Sequence, residues 1–263
     1  MSVFKNKVAV ITGAGSGIGR AFAIALAQEG CSLALADLNM QGLEETSALL
    51  PTSAKTSLHQ LDVSDLDDYK CFVEDVVRTH GQVDIVINNA GIVRLHTFEE
   101  SQYSDFDISL KVNLWGVMYG CKEFLPHLKK KQDTWIVNIS SGAGLVGIPN
   151  YTSYNASKFA VRGFTESLRA ELADTNISVS CVHPGGVNTN IQNSGVHAAG
   201  AKQSAKKLQS AIGQMSAEQA VKVILSGMKK KKKRILVGRD IKTLDIIARL
   251  FPSAYDRIVS KFV

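Results

Sequence analysis

Tyr154 and Lys158 are two side chains whose types and spacing suit proton transfer. On a helix, residues four apart share one face about one turn apart. A free tyrosine has a pKa of about 10, but a lysine ammonium held close to it favours the phenolate. Ser141, at the end of the apolar run 136–139, is placed to hydrogen-bond a reacting oxygen. The three residues predict a proton-transfer site for an alcohol or a carbonyl group. A solvated Tyr–Lys pair has the same spacing, so the rest of the chain must decide.

A glycine-rich turn lies near the start of the chain, between a buried strand at 7–12 and a helix at 17–28. Its pattern is Thr-Gly-x-x-x-Gly-x-Gly, with glycines at 13, 17 and 19. One interpretation is that such a turn does no more than let the chain make a tight corner. The strand and helix on either side favour a second interpretation, in which free backbone N–H groups and the helix start face a phosphate.

Asp37 ends a second strand at 32–36, about twenty residues beyond the glycine turn. An acidic residue at this place can hold the 2′-hydroxyl of a ribose. It can also cap the helix predicted at 39–50. The two roles are compatible, and the spacing favours the ribose.

The remaining chain continues to alternate strands and helices. Strands are predicted at 56–61, 83–87, 135–139, 177–182 and 234–237; helices at 65–79, 154–173, 216–228 and 240–262, with two more within 102–130, the second containing Asn113. The pattern predicts one doubly wound α/β domain of the Rossmann type over 1–263, with six to seven parallel strands and helices on both faces. We expect the segment 183–189 to break its strand, 190–214 to form a substrate flap, and 235–263 to be a C-terminal extension.

Composition excludes several classes of protein. The apolar fraction of 45% and charged fraction of 21% are ordinary for a globular protein, and no apolar run is long enough to cross a membrane. The net charge of +6 is concentrated at 129–131 and 229–234 without the motifs of nucleic-acid binding. The histidines lack metal-binding spacing. The four scattered cysteines predict buried free thiols in a reducing cytoplasm.

Taken together, these motifs resemble the short-chain dehydrogenase/reductase family over nearly the whole chain. The resemblance rests on the glycine turn, Asn88-Asn89-Ala90-Gly91, Asn113, Ser141, Tyr154-x-x-x-Lys158 and Pro184-Gly185, all in the family's order. It implies that Tyr154 is the acid/base and that Ser141 steadies the substrate oxygen. It also implies that Lys158 lowers the tyrosine pKa and binds the nicotinamide ribose, and that Asn113 holds a water in a proton relay.

The resemblance further implies NAD as the cofactor and no metal. The implied cofactor-binding residues are Gly13, Ser16, Gly17, Ile18, Gly19, Asp37, Asp62, Val63, Asn89, Ala90, Gly91, Tyr154, Lys158, Pro184, Gly185, Val187 and Thr189. The implied activity is hydride transfer between NAD(H) and an alcohol or ketone. Leu145, Val146, Ile148, Tyr151 and Ile191 fall in the expected substrate regions and suggest an apolar secondary alcohol.

Two alternatives remain open. One is an NADP-dependent reductase of 3-oxoacyl groups on an acidic carrier protein, with the basic runs as its dock. Asp37 argues against it because a carboxylate repels a 2′-phosphate, and Ser16 stands where such relatives often carry a basic residue. The other is a dinucleotide-binding regulator without turnover, against which the intact catalytic residues argue.

The resemblance also suggests a homodimer or homotetramer packed through helices 113–130 and 151–173. At the C-terminal end, Ile241, Leu244, Ile247, Ala248 and Phe251 give an apolar helix face, with Leu250 alongside, after the lysine run 229–234. We expect this face to pack on the domain or on a partner subunit. Contact with an anionic membrane surface is the less favoured alternative.

Overall fold

The computed structural model describes residues 2–188 and 215–255, and its described strands form one seven-stranded sheet. The order is β3-β2-β1-β4-β5-β6-β7, and every neighbouring pair is parallel. The strands are β1 Val8–Thr12, β2 Ser32–Asp37, β3 Thr56–Gln60, β4 Ile85–Asn88, β5 Thr134–Ile139, β6 Ile177–Pro184 and β7 Arg234–Val237. The predicted doubly wound α/β fold is confirmed.

Helices alternate with these strands. They are α1 Gly17–Gln28, α2 Met40–Ala48, α3 Leu66–His80, α4 Tyr103–Leu110, α5 Gly116–Leu128, α6 Thr152–Glu171, α7 Ala217–Lys229 and α8 Arg239–Leu250, with a 3₁₀ turn at Gly142–Gly144. The predicted flap at 190–214 lies outside the described residues. The last helix, predicted over 240–262, ends earlier, at Leu250, and a turn follows at 252–254. Residues 256–263 lie outside the described residues. Within the two described ranges, no helix is both long enough and apolar enough to cross a membrane.

Both faces of the sheet are covered by apolar helix faces. On one side, Phe22 and Leu26 of α1 pack with Val221 and Ile224 of α7 in one core. On the other side, residues of α3, α5 and α6 form a second core, which includes Phe72, Phe124 and Val161. The central strands are buried on both faces, which explains why they read as continuous apolar runs in the sequence.

Three expectations about local structure are wrong. Strand β6 is not broken at His183 but continues through Pro184, which pairs with Val237. Proline has no backbone N–H to donate to a neighbouring strand, and it is tolerated at the end of β6 because the ladder stops there. The two helices predicted within 102–130 are one continuous helical run, and Asn113 lies in its π-helical turn, Lys111–Trp115, between α4 and α5. Cys71 is exposed, although Cys31, Cys121 and Cys181 are buried as expected.

Candidate active site

The carboxyl ends of the central strands surround a cleft of about 490 Å³. It opens where the chain order reverses between β1 and β4, the usual ligand position in an open parallel sheet. The predicted site residues that line it are Gly13, Ser16, Gly17, Ile18, Asp37, Asp62, Val63, Asn89, Ala90, Gly91, Tyr154, Lys158, Pro184, Gly185 and Val187. Gly19, Asn113 and Ser141 are not among the residues that line it, and Thr189 lies outside the described residues.

The glycine turn closes tightly on the start of α1. Gly13 and Gly17 have φ of +65° and +52°, a region that favours glycine. A Cβ on Gly19 would overlap the carbonyl oxygen of Gly13, so this third glycine is required for the close approach. Ser16 precedes α1 but makes no side-chain cap, and the first turn carries no acidic residue. The helix start therefore offers backbone N–H groups to an anion in the cleft.

Asp37 lies beside this turn at the end of β2. Its Oδ2 accepts a hydrogen bond from the Gly15 N–H at 2.9 Å, and its Oδ1 accepts one from the Asn39 N–H at 3.0 Å. The helix α2 is capped by Asn39, whose Oδ1 accepts from the Gly42 N–H at 3.2 Å. The cap predicted as one role of Asp37 thus belongs to Asn39, whereas the carboxylate of Asp37 faces the cleft.

Arg20 braces the same turn from behind, a contact that the sequence did not predict. Its Nη2 donates to the Gly15 carbonyl at 2.5 Å and to Glu45 at 2.8 Å, and its Nε donates to Thr46 at 2.9 Å. The guanidinium therefore ties the phosphate-facing turn to α2. The only sequence signal was an arginine directly after the third glycine.

The ends of β1 and β4 are joined through Asn89 and Thr12. The Asn89 Nδ2 donates to the Thr12 carbonyl at 2.9 Å and to the Gly13 carbonyl at 3.2 Å. In return, the Thr12 Oγ1 accepts from the N–H groups of Asn89 and Ala90, at 3.0 and 3.1 Å. These bonds fix the floor of the cleft, which the predicted amide and small residues line.

Tyr154 and Lys158 project from α6 into the cleft, as their spacing predicted. The Lys158 Nζ lies 5.6 Å from the centroid of the Tyr154 ring and donates to the Ile139 carbonyl at 3.0 Å. Burial lowers the pKa of Lys158 to about 8, because a buried ammonium loses its hydration. At pH 7 the lysine therefore remains mostly in its ammonium form.

The tyrosine itself is held in its neutral form. Burial raises the pKa of Tyr154, and the Ser141 side chain opposes part of this rise. The pKa thus lies above its ordinary value, and the group that opposes the rise is Ser141. The lowering expected from the neighbouring Lys158 stays a prediction. The Lys158 ammonium lies over the ring, where its attraction is to the aromatic face. With its pKa raised, the phenol of Tyr154 keeps its proton at neutral pH.

Ser141 stands at the carboxyl end of β5. Its Oγ accepts from the Ala143 N–H at 3.1 Å and so starts the 3₁₀ turn Gly142–Gly144. Its carbonyl is bonded at 3.0 Å to the Nδ1 of His183, which is fully buried at the end of β6. Since a carbonyl only accepts, the imidazole carries its proton on Nδ1. His183 thus holds the backbone of Ser141 in place.

Asn113 positions two other segments of the site. Its Oδ1 accepts from the Ile92 N–H at 2.8 Å, and its Nδ2 donates to the Ile92 carbonyl and to the Ser157 hydroxyl, both at 3.0 Å. The amide hydrogens are therefore committed to protein partners. Its side chain therefore joins the loop after β4 to α6. This positioning role was not predicted from the sequence, which suggested only that Asn113 holds a water.

The substrate end of the cleft differs in part from the expectation. Ile148 and Tyr151 line it, but Leu145 and Val146 face away and pack against α8, while Ile191 lies outside the described residues. Ile241 of α8, missed in the sequence, lines the cleft with only 4% of its surface exposed. Its periodic apolar neighbours predicted a buried helix face but not what that face covers.

Ile241 fits between two glycines. A Cβ on Gly142 would lie 2.5 Å from its Cδ1, and a Cβ on Gly185 would lie 2.5 Å from its Cγ1. These glycines therefore make room for a side chain of α8, and that side chain forms part of the wall of the cleft.

Known proteins match this chain in sequence. The sequence profile of the short chain dehydrogenases matches residues 7–200. The chain is 42% identical to the putative oxidoreductase SadH of Mycobacterium tuberculosis, over 99% of this chain and 96% of the relative. It is 39% identical to the 3-oxoacyl-[acyl-carrier-protein] reductase FabG of Thermotoga maritima, over 70% of this chain and 76% of that relative.

Among solved structures, a short-chain dehydrogenase/reductase from Burkholderia phymatum in complex with NAD superposes with a TM-score of 0.88. It is 30% identical, and the match covers 95% of each chain. The glycine turn, the strand-end amides and the Tyr–Lys pair on α6 thus occur here in a chain that matches the family in sequence and in fold. The chain belongs to the short-chain dehydrogenase family of oxidoreductases.

Proposed function

We propose that this protein transfers a hydride between NAD(H) and an apolar secondary alcohol or the corresponding ketone. The observation that carries the proposal is the meeting of Tyr154, Lys158 and Ser141 at the strand ends, beside the same cleft as the glycine turn and Asp37. One end of the cleft offers groups for a dinucleotide. The other end offers a hydroxyl that can give or take a proton.

The side chains divide the chemistry among them. In the ketone direction, Tyr154 donates its phenolic proton to the substrate oxygen, and the Ser141 hydroxyl steadies that oxygen. Lys158, as its ammonium, stabilises the tyrosinate that results, because the charges are opposite and the site is buried. In the alcohol direction the same groups act in reverse. The bound nicotinamide supplies or accepts the hydride.

The preference for NAD is supported by Asp37. Its carboxylate faces the cleft beside the glycine turn, where it can accept hydrogen bonds from ribose hydroxyls and would repel a 2′-phosphate. Leu38 and Asn39, which also line this end, add no positive charge. These residues favour NAD over NADP.

The apolar substrate is supported by the lining beside Tyr154. Val93, Ile148 and Tyr151 form one apolar cluster with Tyr154, and Ile241 lines the same cleft. An apolar ligand in such a lining is stabilised because apolar surface is removed from water. A polar ligand loses its hydrogen bonds to water there and finds no hydrogen-bond partner on the apolar side chains.

The experiment is to follow NADH absorbance with a panel of secondary alcohols, using NAD and NADP in parallel. We expect turnover with NAD and apolar alcohols, and little with polar alcohols of the same size. Binding of NAD without turnover of any alcohol or ketone would instead favour the regulator without catalysis. Preferred turnover of a 3-oxoacyl group on a carrier protein, with NADPH, would favour the FabG-like alternative. The similarity to the relative from Thermotoga maritima is the reason to include this substrate.

We further propose that the protein is a homodimer or homotetramer that packs through α5 and α6. We also propose that it is located in the cytoplasm. The exposed Trp115, just before α5, and the exposed Phe159 on α6 support an interface on these helices, and the free cysteines suit a reducing compartment. Sedimentation velocity should show a single oligomer that Phe159→Glu dissociates. A monomer at micromolar concentration would contradict the proposal.

A further inference from the structure

An open groove of about 620 Å³ runs along the edge strand β7, between α7 and α8. Three lysines from three different segments line it: Lys222 on α7, Lys232 before β7 and Lys242 on α8. Each is exposed, and among the ion pairs of the described residues none involves these three lysines. We call this the lysine groove. Its positive charges converge on one place although they are far apart in the chain.

The carboxylate within the lysine groove does not cancel these charges. Asp245 accepts from the Arg234 Nη1 at 2.7 Å and from the Arg249 Nε at 3.1 Å. Burial alone would raise the pKa of Asp245, but the two arginines outweigh it and lower the pKa, so the group is ionised. Two arginines against one aspartate leave a positive charge in addition to the three lysines.

Exposed apolar side chains flank the same groove. Ile246 and Leu250 lie four residues apart on the outer face of α8 and are 57% and 67% exposed. Phe251, at the end of the helix, is 57% exposed, and Val223 of α7 is 37% exposed. The surface is therefore both basic and apolar, the combination found in helices that lie at a membrane interface.

This exposure is not that of a detached helix. The inner face of α8 is packed, since Ile241, Leu244 and Ala248 form a cluster with Leu145 and Val146. The expectation that the apolar face packs on the domain holds for these residues but not for Phe251. The helix thus has one apolar face that belongs to the fold and a second that remains at the surface.

We propose that the lysine groove and the outer face of α8 dock on an anionic lipid bilayer. The lysines would meet lipid phosphates, and Ile246, Leu250 and Phe251 would enter the boundary of the acyl chains. A second copy of the chain suits this surface less well, because a twofold contact would set one lysine groove against the other. The proposal does not depend on the proposed reaction.

Vesicle sedimentation with the full chain tests it. We expect binding to phosphatidylglycerol-containing vesicles, little binding to pure phosphatidylcholine vesicles, and loss of binding as salt rises from about 0.05 M to about 0.5 M. Each basic residue at an anionic surface contributes about fivefold in partitioning. Replacing Lys222, Lys232 and Lys242 by glutamine should therefore weaken binding about a hundredfold. Ile246→Ser together with Leu250→Ser should weaken it as well.

The matched control replaces Lys5, Lys55 and Lys70, which are also exposed but lie before β1, before β3 and on α3. It removes the same net charge and should retain nearly all binding. Equal loss in both triple variants would overturn the proposal, since the effect would then be one of net charge alone. Absence of binding to anionic vesicles at low salt would overturn it too, as would a self-association that the lysine-groove variant abolishes while vesicle binding is unchanged. Melting temperature and NADH binding of each variant establish that it is folded.

Discussion

Replacing His183 by asparagine should remove a specific part of the protein's sensitivity to acid. The imidazole is fully buried at the end of β6, with its Nδ1 hydrogen on the Ser141 carbonyl. Burial lowers the pKa of His183 from 6.5 to about 4, mainly because the imidazolium would lose its hydration. Asparagine can keep a donor towards Ser141 but cannot titrate in this range.

The sign and size of the effect follow from this pKa. Between pH 6.5 and 4 the unfolded chain binds a proton at His183 that the folded protein does not, so stability falls as pH falls through this window. The full difference, about 2.5 pKa units, corresponds to about 3.4 kcal/mol. At pH 5, where the folded imidazole is still neutral, about 2 kcal/mol should already be lost.

Urea unfolding at pH 7.5 and pH 5 measures this loss in wild type and in His183→Asn. The variant will be less stable at pH 7.5 because a smaller side chain leaves a cavity. Its further loss on going to pH 5 should nevertheless be smaller than that of wild type by about 2 kcal/mol. His59 and His80, whose pKa values are also lowered, contribute equally to both proteins and cancel in this difference. Equal losses in the two proteins would refute the reasoning.

Three further changes test the cleft. Tyr154→Phe should retain NAD binding and lose about a hundredfold to ten-thousandfold in kcat, and a residual rate above about a tenth of wild type would mean that Tyr154 is not the acid/base. Asp37→Ala should shrink or reverse the ratio of NAD to NADP in kcat/KM, a ratio that an unrelated cleft role would leave unchanged. Ile241→Ala should cost about 2–5 kcal/mol in urea unfolding and raise the relative kcat/KM of bulkier alcohols; an unchanged substrate ranking would show that this side chain does not limit the substrate space of the cleft.

The sequence predicted best those features that a local pattern encodes. The strand–glycine turn–helix unit of β1 and α1 and the Tyr–Lys pair of α6 each follow from residues close together in the chain. The carboxyl ends of parallel strands meet at one edge, so the order of strands and helices along the chain was enough to place these units in one cleft. Asp37 was found in the same way, through its place at the end of β2.

The features that were missed depend on contacts between distant segments. Ile241 lies between Gly142 and Gly185 because α8 folds back over the sheet, and no local pattern shows which surface a helix covers. A local pattern also does not show how deeply a side chain will be buried in the folded protein, so the raised pKa of Tyr154 was not predicted. The π-helical turn around Asn113 replaces an ordinary helical turn without any glycine or proline to mark it.

The pairing of β1 with β4 has a consequence for folding kinetics. The pairing begins beside the bond from the Val8 N–H to the Asp84 carboxylate, two residues that are 76 positions apart, so the contacts that join the two halves of the sheet are slow to form. Until they form, an assembled β1–β2–β3 half presents the edge of β1 to other chains, which is a route to aggregation. A dinucleotide in the cleft would touch both halves at once. Its presence during refolding should therefore trap the joined sheet and increase the yield of native protein.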